Sequence, residues 1–346
     1  MKIKKTYLCR EIVDFEIDKN IPVGYSPLVG DVGLFKVVRI GKHKNVQSEW
    51  RRNMAIIAGD FVMAAFGNRY ATNQFEGYVP EQIPEFLHML AAGGVVGLVK
   101  TMHYNLEDIG PTIIRMVGIV RNKEGKIINT LNVKRDQIIS FSGHAASKTK
   151  VILSLGSSMD SGKTTTAAYL INGIRKAGHR VAFFKLTGTT YTKDVDLNFD
   201  LGAEKSVDFS ELGYPSTYLT SESEILDLYE TLLNRVLPAN PEYVVVEIAD
   251  GLYQRETKML YKNKRFMSTV HAVLFSAGDS LAALQGYELL KAENIIPMAL
   301  SGLFTASPLL INEVNEHKEG DIPVVNLDEL IERAPDLIKR SAHKPV

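Results

Sequence analysis

The apolar positions change rhythm once along the chain, near residue 147. Before that point, short stretches rich in β-branched and aromatic residues stand between glycine-containing breaks, at residues 32–40, 60–66, 95–100 and 112–120. Such runs predict strands. The first two each follow a Gly-Asp step, Gly30-Asp31 and Gly59-Asp60, a turn signature whose repetition suits a small barrel. Residues 122–126 read as a hairpin turn, and residues 81–92 as a helix.

From residue 151 the pattern becomes one of short β-branched runs alternating with helical periodicity. The strand candidates are residues 151–155, 181–185, 243–247, 272–276, 297–300 and 323–326, with helices at 163–177, 222–236 and 280–292 among them. Alternation of this kind implies right-handed crossovers and a mostly parallel, doubly wound sheet with helices on both faces. The expected fold class is therefore α/β for residues 147–346, preceded by a β-rich, barrel-like domain over residues 1–146. The small, polar stretch 142–150 marks the boundary.

The chain has 346 residues, room for two domains at roughly 150 residues each. Forty basic and forty acidic side chains cancel, so no global field favours nucleic acid or a membrane surface. The basic clusters at residues 2–5, 262–265 and 339–344 read as solvated faces or a terminus. Cys9 is the single cysteine, which excludes a disulfide framework and a cysteine-rich metal site. No apolar run reaches the roughly 18–20 residues that span a bilayer, and no signal-peptide core opens the chain. Cytoplasm is the expected location.

The chemistry concentrates where the first strand of the second half ends. There the chain reads Gly156-Ser157-Ser158-Met159-Asp160-Ser161-Gly162-Lys163-Thr164-Thr165. A strand, a small-residue loop ending in Gly-Lys-Thr, and a helix form the context of a P-loop. Its backbone N–H groups and the helix N-terminus would face phosphates. Gly162 allows close approach, Lys163 reaches the β- and γ-phosphates, and the Thr164 hydroxyl ligates Mg²⁺. The usual pattern has a glycine where Ser157 stands; here the glycine comes one place earlier.

Gly-x-x-x-x-x-Gly-Lys-Thr, with Asp160 two places before the second glycine, resembles the loop of dethiobiotin synthetase and related ATP-dependent ligases. The resemblance continues through Lys185 and the small polar residues after it to Glu247, which ends an apolar strand. It implies phosphate contact by Lys185, Mg²⁺ binding by Glu247, and ATP as the cofactor. Departures are the absence of a proline after Lys185 and the run Glu247-Ile248-Ala249-Asp250-Gly251 in place of Glu-Gly. The whole chain is also similar to a group of uncharacterised bacterial P-loop proteins with a β-rich N-terminal domain.

The reading that follows is Mg²⁺-dependent phosphoryl transfer from a nucleoside triphosphate to a small acceptor, a carboxylate that is then ligated to an amine. The catalytic candidates are Lys163, Lys185 and Glu247. For the metal, Thr164 and Glu247 are joined by one or more of Asp194, Asp196, Asp200 and Asp208, with Asp200 and Asp208 preferred. Asp250 is a further candidate. Ser276-Ala277-Gly278-Asp279 and the loop at Ser301-Gly302 and residues 305–308 could hold the base, and a homodimer is expected by analogy. The alternative is a nucleotide-driven switch acting on a protein partner through the N-terminal domain, whose loop at Asn68, Arg69, Tyr70 and Glu76 could read a substrate.

Overall fold

The computed structural model describes residues 2–340, so the basic tail beyond Arg340 lies outside the described residues. The chain divides into two compact units. The first holds residues up to 138 together with 188–192 and 209–219; the second holds 139–187, 193–208 and the residues from 220 on.

The first unit carries strands β1 (Ile3–Lys5), β2 (Glu16–Asp18), β3 (Val32–Arg39), β4 (Asn45–Gln47), β5 (Asn53–Ala55), β6 (Phe61–Phe66), β7 (Phe75–Tyr78), β8 (Leu87–Ala91), β9 (Val95–Met102) and β10 (Thr112–Arg121), then a one-turn helix α1 (Thr130–Val133). Pairing runs β6–β3–β10–β8–β9 and returns from β9 to β6 through the parallel pairs Ala65↔Val95 and Phe66↔Val96. The ring is closed, as the sequence pattern suggested. Phe35, Phe66, Leu87, Met89, Val96 and Ile114 fill its interior, with Phe35 edge-on to Phe66 at 5.5 Å. β4 and β5 form a separate two-stranded ribbon.

Both Gly-Asp steps have glycines at positive φ, +90° at Gly30 and +94° at Gly59, immediately before β3 and β6. One expectation fails in this unit: residues 81–92 are not a helix. Leu87–Ala91 is a strand held between β9 and β10, with Leu87, Met89 and Ala91 buried and His88 outward. Non-local pairing overrides the local helical preference there.

The second unit contains β11 (Lys150–Gly156), α2 (Lys163–Lys176), β12 (Val181–Lys185), α3 (Lys193–Asp200), β13 (Ser206–Asp208), α4 (Glu222–Val236), β14 (Tyr243–Glu247), α5 (Arg255–Lys262), α6 (Lys264–Met267), β15 (Val270–Ser276), α7 (Ser280–Ala292), β16 (Ala299–Ser301), α8 (Pro308–His317) and α9 (Leu327–Leu337). Its six strands are all parallel, in the order β13-β12-β14-β11-β15-β16. Central strands are buried residue after residue, because helices cover both faces. On one face Ile152, Phe183 and Val245 meet Leu170 and Ile174 of α2 and Leu330 of α9. On the other, Phe184 meets Tyr229 of α4, which packs edge-on to Phe266.

Residues 323–326, expected as a strand, form only one parallel bridge, Leu300↔Val324. The chain turns at once into α9, whose capping box at Asn326 and Glu329 claims the next backbone donors.

Candidate functional site

β11 ends at Gly156 and α2 begins at Lys163, so the loop between them lies at the C-terminal edge of a parallel sheet, where open α/β folds bind ligands. The strand–loop–helix unit is that of the P-loop NTPase fold. Gly162 takes φ +93°, leaving the N–H groups of the first helical turn turned toward the loop. The early glycine has a specific cause. A Cβ on Gly156 would stand 2.4 Å from Ser161 Oγ and 2.7 Å from Cγ and Cδ of Lys163. The lysine stem lies across the bare backbone of Gly156, so a side chain there would have to displace Ser161 and Lys163.

Lys163 folds back on the loop, donating to the Ser158 carbonyl at 2.6 Å and to Ser161 Oγ at 3.4 Å. The loop is propped from two sides. Ser157 N–H donates to the Ser276 carbonyl at 2.9 Å, and Leu303 N–H to the Ser161 carbonyl at 3.2 Å. A Cβ on Gly251 would come within 2.2 Å of the Ser157 carbonyl, and one on Gly302 within 2.6 Å of that of Ser161. Asp160 and Asp250 both adopt positive φ, +60° and +62°. Thr165 is exposed on the first turn of α2.

β12 and β14 are neighbours in exact register, Lys185↔Glu247, which sets their terminal side chains together. Glu247 is 1% exposed. Its Oε1 accepts from the Thr164 hydroxyl at 3.1 Å and lies 3.4 Å from Lys185 Nζ, while its Oε2 is buried without a donor. Lys185 also donates to Asp194. Burial lifts the Glu247 carboxyl above its ordinary range, reinforced by Asp194 and opposed by Lys185, Lys163 and Thr164. For Lys185 burial works against the charge, but Asp194 and Glu247 outweigh it and raise the ammonium above the usual lysine value. Lys163 is lowered, because burial outweighs Glu247, Asp250 and Asp160.

Thr164, Lys185 and Glu247 thus converge beside Lys163. Of the four candidate aspartates, Asp194 accepts from Lys185. Asp200 is exposed at the far end of α3, six residues on and roughly 9 Å along the axis. Asp208 is buried at the end of β13, the register partner of Lys185. Among the described residues no group of three or more His, Cys, Asp or Glu is placed to hold a metal by itself.

Asp279 caps α7, accepting from Ala282 N–H at 2.8 Å, and Ser301-Gly302 serves to buttress the loop. In the first unit Asn68 accepts from Val79 N–H at 3.0 Å, tying its loop to the chain just past β7. Glu76 takes the hydroxyls of Tyr78 and Thr101.

No family model matches the chain, and no curated protein matches it. Similar solved structures include a DUF1611 family protein from Anabaena variabilis, 15% identical over 58% of this chain and 61% of that one, with a TM-score of 0.40. The signal recognition particle receptor FtsY from Elizabethkingia anophelis is 19% identical over 62% of this chain and 75% of its own, TM-score 0.36. A ParA family ATPase from Chlorobium tepidum is 12% identical over 55% and 91%, TM-score 0.33. The chain spans about three fifths of the length of the first of these. Likenesses this distant say nothing about activity. No helix among the described residues is long and apolar enough to cross a membrane.

Proposed function

We propose that the second unit binds a nucleoside triphosphate, ATP, with Mg²⁺, and transfers its terminal phosphoryl group. The observation behind this reading is Glu247. A buried carboxylate oxygen without a donor is costly, and Glu247 Oε2 is one, while its Oε1 accepts from the Thr164 hydroxyl at the start of α2. Thr164 and Glu247 are the residues that would hold the metal, with phosphate oxygens and water completing its shell. The metal supplies charge that offsets the phosphate oxygens during transfer. The surrounding charges favour the same reading: Asp160, Asp194, Glu247 and Asp250 all act on the two ammonium groups, an acidic setting that suits a cation beside the phosphates.

In this scheme Lys163 exchanges the Ser158 carbonyl for phosphate oxygens, and the loop N–H groups hold the β-phosphate. Lys185 faces the developing charge on the transferred group. The finer reading takes the acceptor as a small carboxylate, following the likeness of residues 156–251 to dethiobiotin synthetase. A carboxylate oxygen attacks the γ-phosphorus as the bond to the β-phosphate oxygen breaks, giving an acyl phosphate and ADP. An amine then attacks the acyl carbon, phosphate leaves, and the amine loses a proton.

The test is thermal stabilisation by ATP, GTP and CTP with Mg²⁺, in the wild type and in Lys163→Ala. Ligand at 100 times its Kd adds about 2.7 kcal/mol, and the mutant should lose the response. No shift with any nucleotide would overturn the assignment. Phosphate release that no small carboxylate accelerates would remove the ligase reading and leave hydrolysis.

A further inference from the structure

Two polar side chains that are neighbours in the parallel sheet are buried with bonding capacity left over. One is Glu247, through its Oε2; the other is Ser154, through its Oγ, and among the described residues neither atom has a hydrogen-bond partner. Ser154 is fully buried and Glu247 is 1% exposed. β14 lies between β12 and β11, so Glu247 pairs in register with Lys185 on one side and with Ser154 on the other. Register partners on adjacent parallel strands carry their side chains on the same face, about 5 Å apart. That face is the one α2 covers, since Ile152 and Val245, two residues earlier on the two strands, lie in the core with Leu170 and Ile174 of α2. The backbone fixes both residues: Leu186 N–H donates to the Glu247 carbonyl at 2.9 Å, and Ile248 N–H to the Ser154 carbonyl at 3.1 Å. On β15 the register partner of Ser154 is Leu274, so of its two neighbours in the sheet Glu247 is the polar one. A buried hydroxyl without a partner destabilises a fold where an alanine would not.

We propose that Ser154 is a positioning residue for Glu247 in the magnesium–nucleotide state: its hydroxyl donates to Oε2, which leaves Oε1 for the metal beside the Thr164 hydroxyl. The proposal rests on the nucleotide reading given above. Oε1 is the oxygen that accepts from Thr164 at 3.1 Å and lies 3.4 Å from Lys185 Nζ. A carboxylate that ligates a metal through one oxygen is held in orientation by a hydrogen bond to the other. Lys185 stands on the opposite side of Glu247 and is engaged with Asp194 and Oε1. Ser154 can supply the missing donor by turning about its Cα–Cβ bond among the staggered positions, so neither strand has to move. Ser154, Thr164, Lys185 and Glu247 all belong to the second unit, and the arrangement is complete within it.

The experiment is a magnesium titration of the thermal stabilisation given by a saturating non-hydrolysable ATP analogue, in the full chain. It compares wild type, Ser154→Ala, which removes the hydroxyl, and Ser154→Thr, which keeps it. For Ser154→Ala the half-saturating magnesium concentration should rise roughly three- to tenfold, the size of one lost hydrogen bond. The Tm of the ligand-free alanine variant should be unchanged or higher, because the hydroxyl it loses bonds nothing in that state. Those two readouts move in opposite senses, which a merely structural serine would not produce. Ser154→Thr should keep the magnesium midpoint within twofold of wild type, and the alanine variant decides by itself where the added methyl lowers the ligand-free Tm. A midpoint within twofold of wild type for Ser154→Ala overturns the proposal, as does a lower ligand-free Tm for that variant. A midpoint raised equally in a threonine variant of wild-type Tm overturns it too. Failure of the wild type itself to respond to the analogue overturns the nucleotide reading and this proposal with it, and is recognised because no variant enters that comparison.

Discussion

Replacing Glu247 by glutamine should stabilise the protein while removing its response to magnesium nucleotide. The carboxylate is 1% exposed, and one of its oxygens has no donor. Leaving a buried acceptor unsatisfied costs about 1–3 kcal/mol, more for a charged group. Loss of the Lys185–Glu247 contact opposes the gain only weakly, because Lys185 keeps Asp194 and no charge is orphaned. The Thr164 hydroxyl still has the amide oxygen as acceptor. A net gain of about 1 kcal/mol is expected, a rise of a few degrees in Tm.

The gain should depend on pH. The folded-state pKa of Glu247 lies above its ordinary 4.5, so the stability associated with the protonated form is fully present below 4.5 and is lost as pH rises through the folded value. Glutamine suffers no such loss. The two Tm curves should therefore meet below pH 4.5, diverge between 4.5 and the raised pKa, and keep a constant gap above it. Differential scanning calorimetry from pH 4.5 to 8, with and without magnesium nucleotide, reads both effects. A variant less stable than wild type by a pH-independent amount would show that Glu247 is a satisfied structural ion partner. A variant with the full magnesium–nucleotide response would show that its free oxygen does not face the metal.

Gly156→Ala should weaken nucleotide binding by roughly five- to 150-fold in calorimetric titration, since overpacking of about 1–3 kcal/mol falls on the Lys163 stem; binding unchanged within twofold would refute the close approach. His43 lies buried in the first unit, its pKa lowered by burial to about 3 from 6.5, with Arg69 and Lys42 adding to the shift. Because the unfolded chain takes up that proton at higher pH, stability should fall as pH drops from 6.5 toward 3. His43→Leu should remove part of that slope in acid-unfolding curves, and an identical slope would count against the buried neutral imidazole.

Local chemistry was legible from the sequence. Val181–Lys185 and Tyr243–Glu247 are strands at the bounds the pattern predicts, because a parallel strand buried on both faces reads as an unbroken apolar run. Ser280–Ala292 likewise begins after its capping aspartate. The strand–Gly-Lys-Thr–helix junction is a contiguous segment, so its geometry follows from its own residues. Closure of the first unit was foreseeable only in outline, since the β6–β9 pair joins residues thirty apart. Strand β8 was missed, because Leu87, Met89, Leu90 and Ala91 are good helix formers locally and only pairing with β9 and β10 makes them a strand. The choice among Asp194, Asp196, Asp200 and Asp208 was open in the sequence, where all four are acids near a phosphate loop. Tertiary structure brought Asp194 to Lys185, because α3, which carries Asp194 in its first turn, packs against β12, which ends at Lys185. A packing contact between a helix and a strand leaves no periodicity, spacing or composition to read. It exists only once the parallel sheet has formed and α3 has been laid on it.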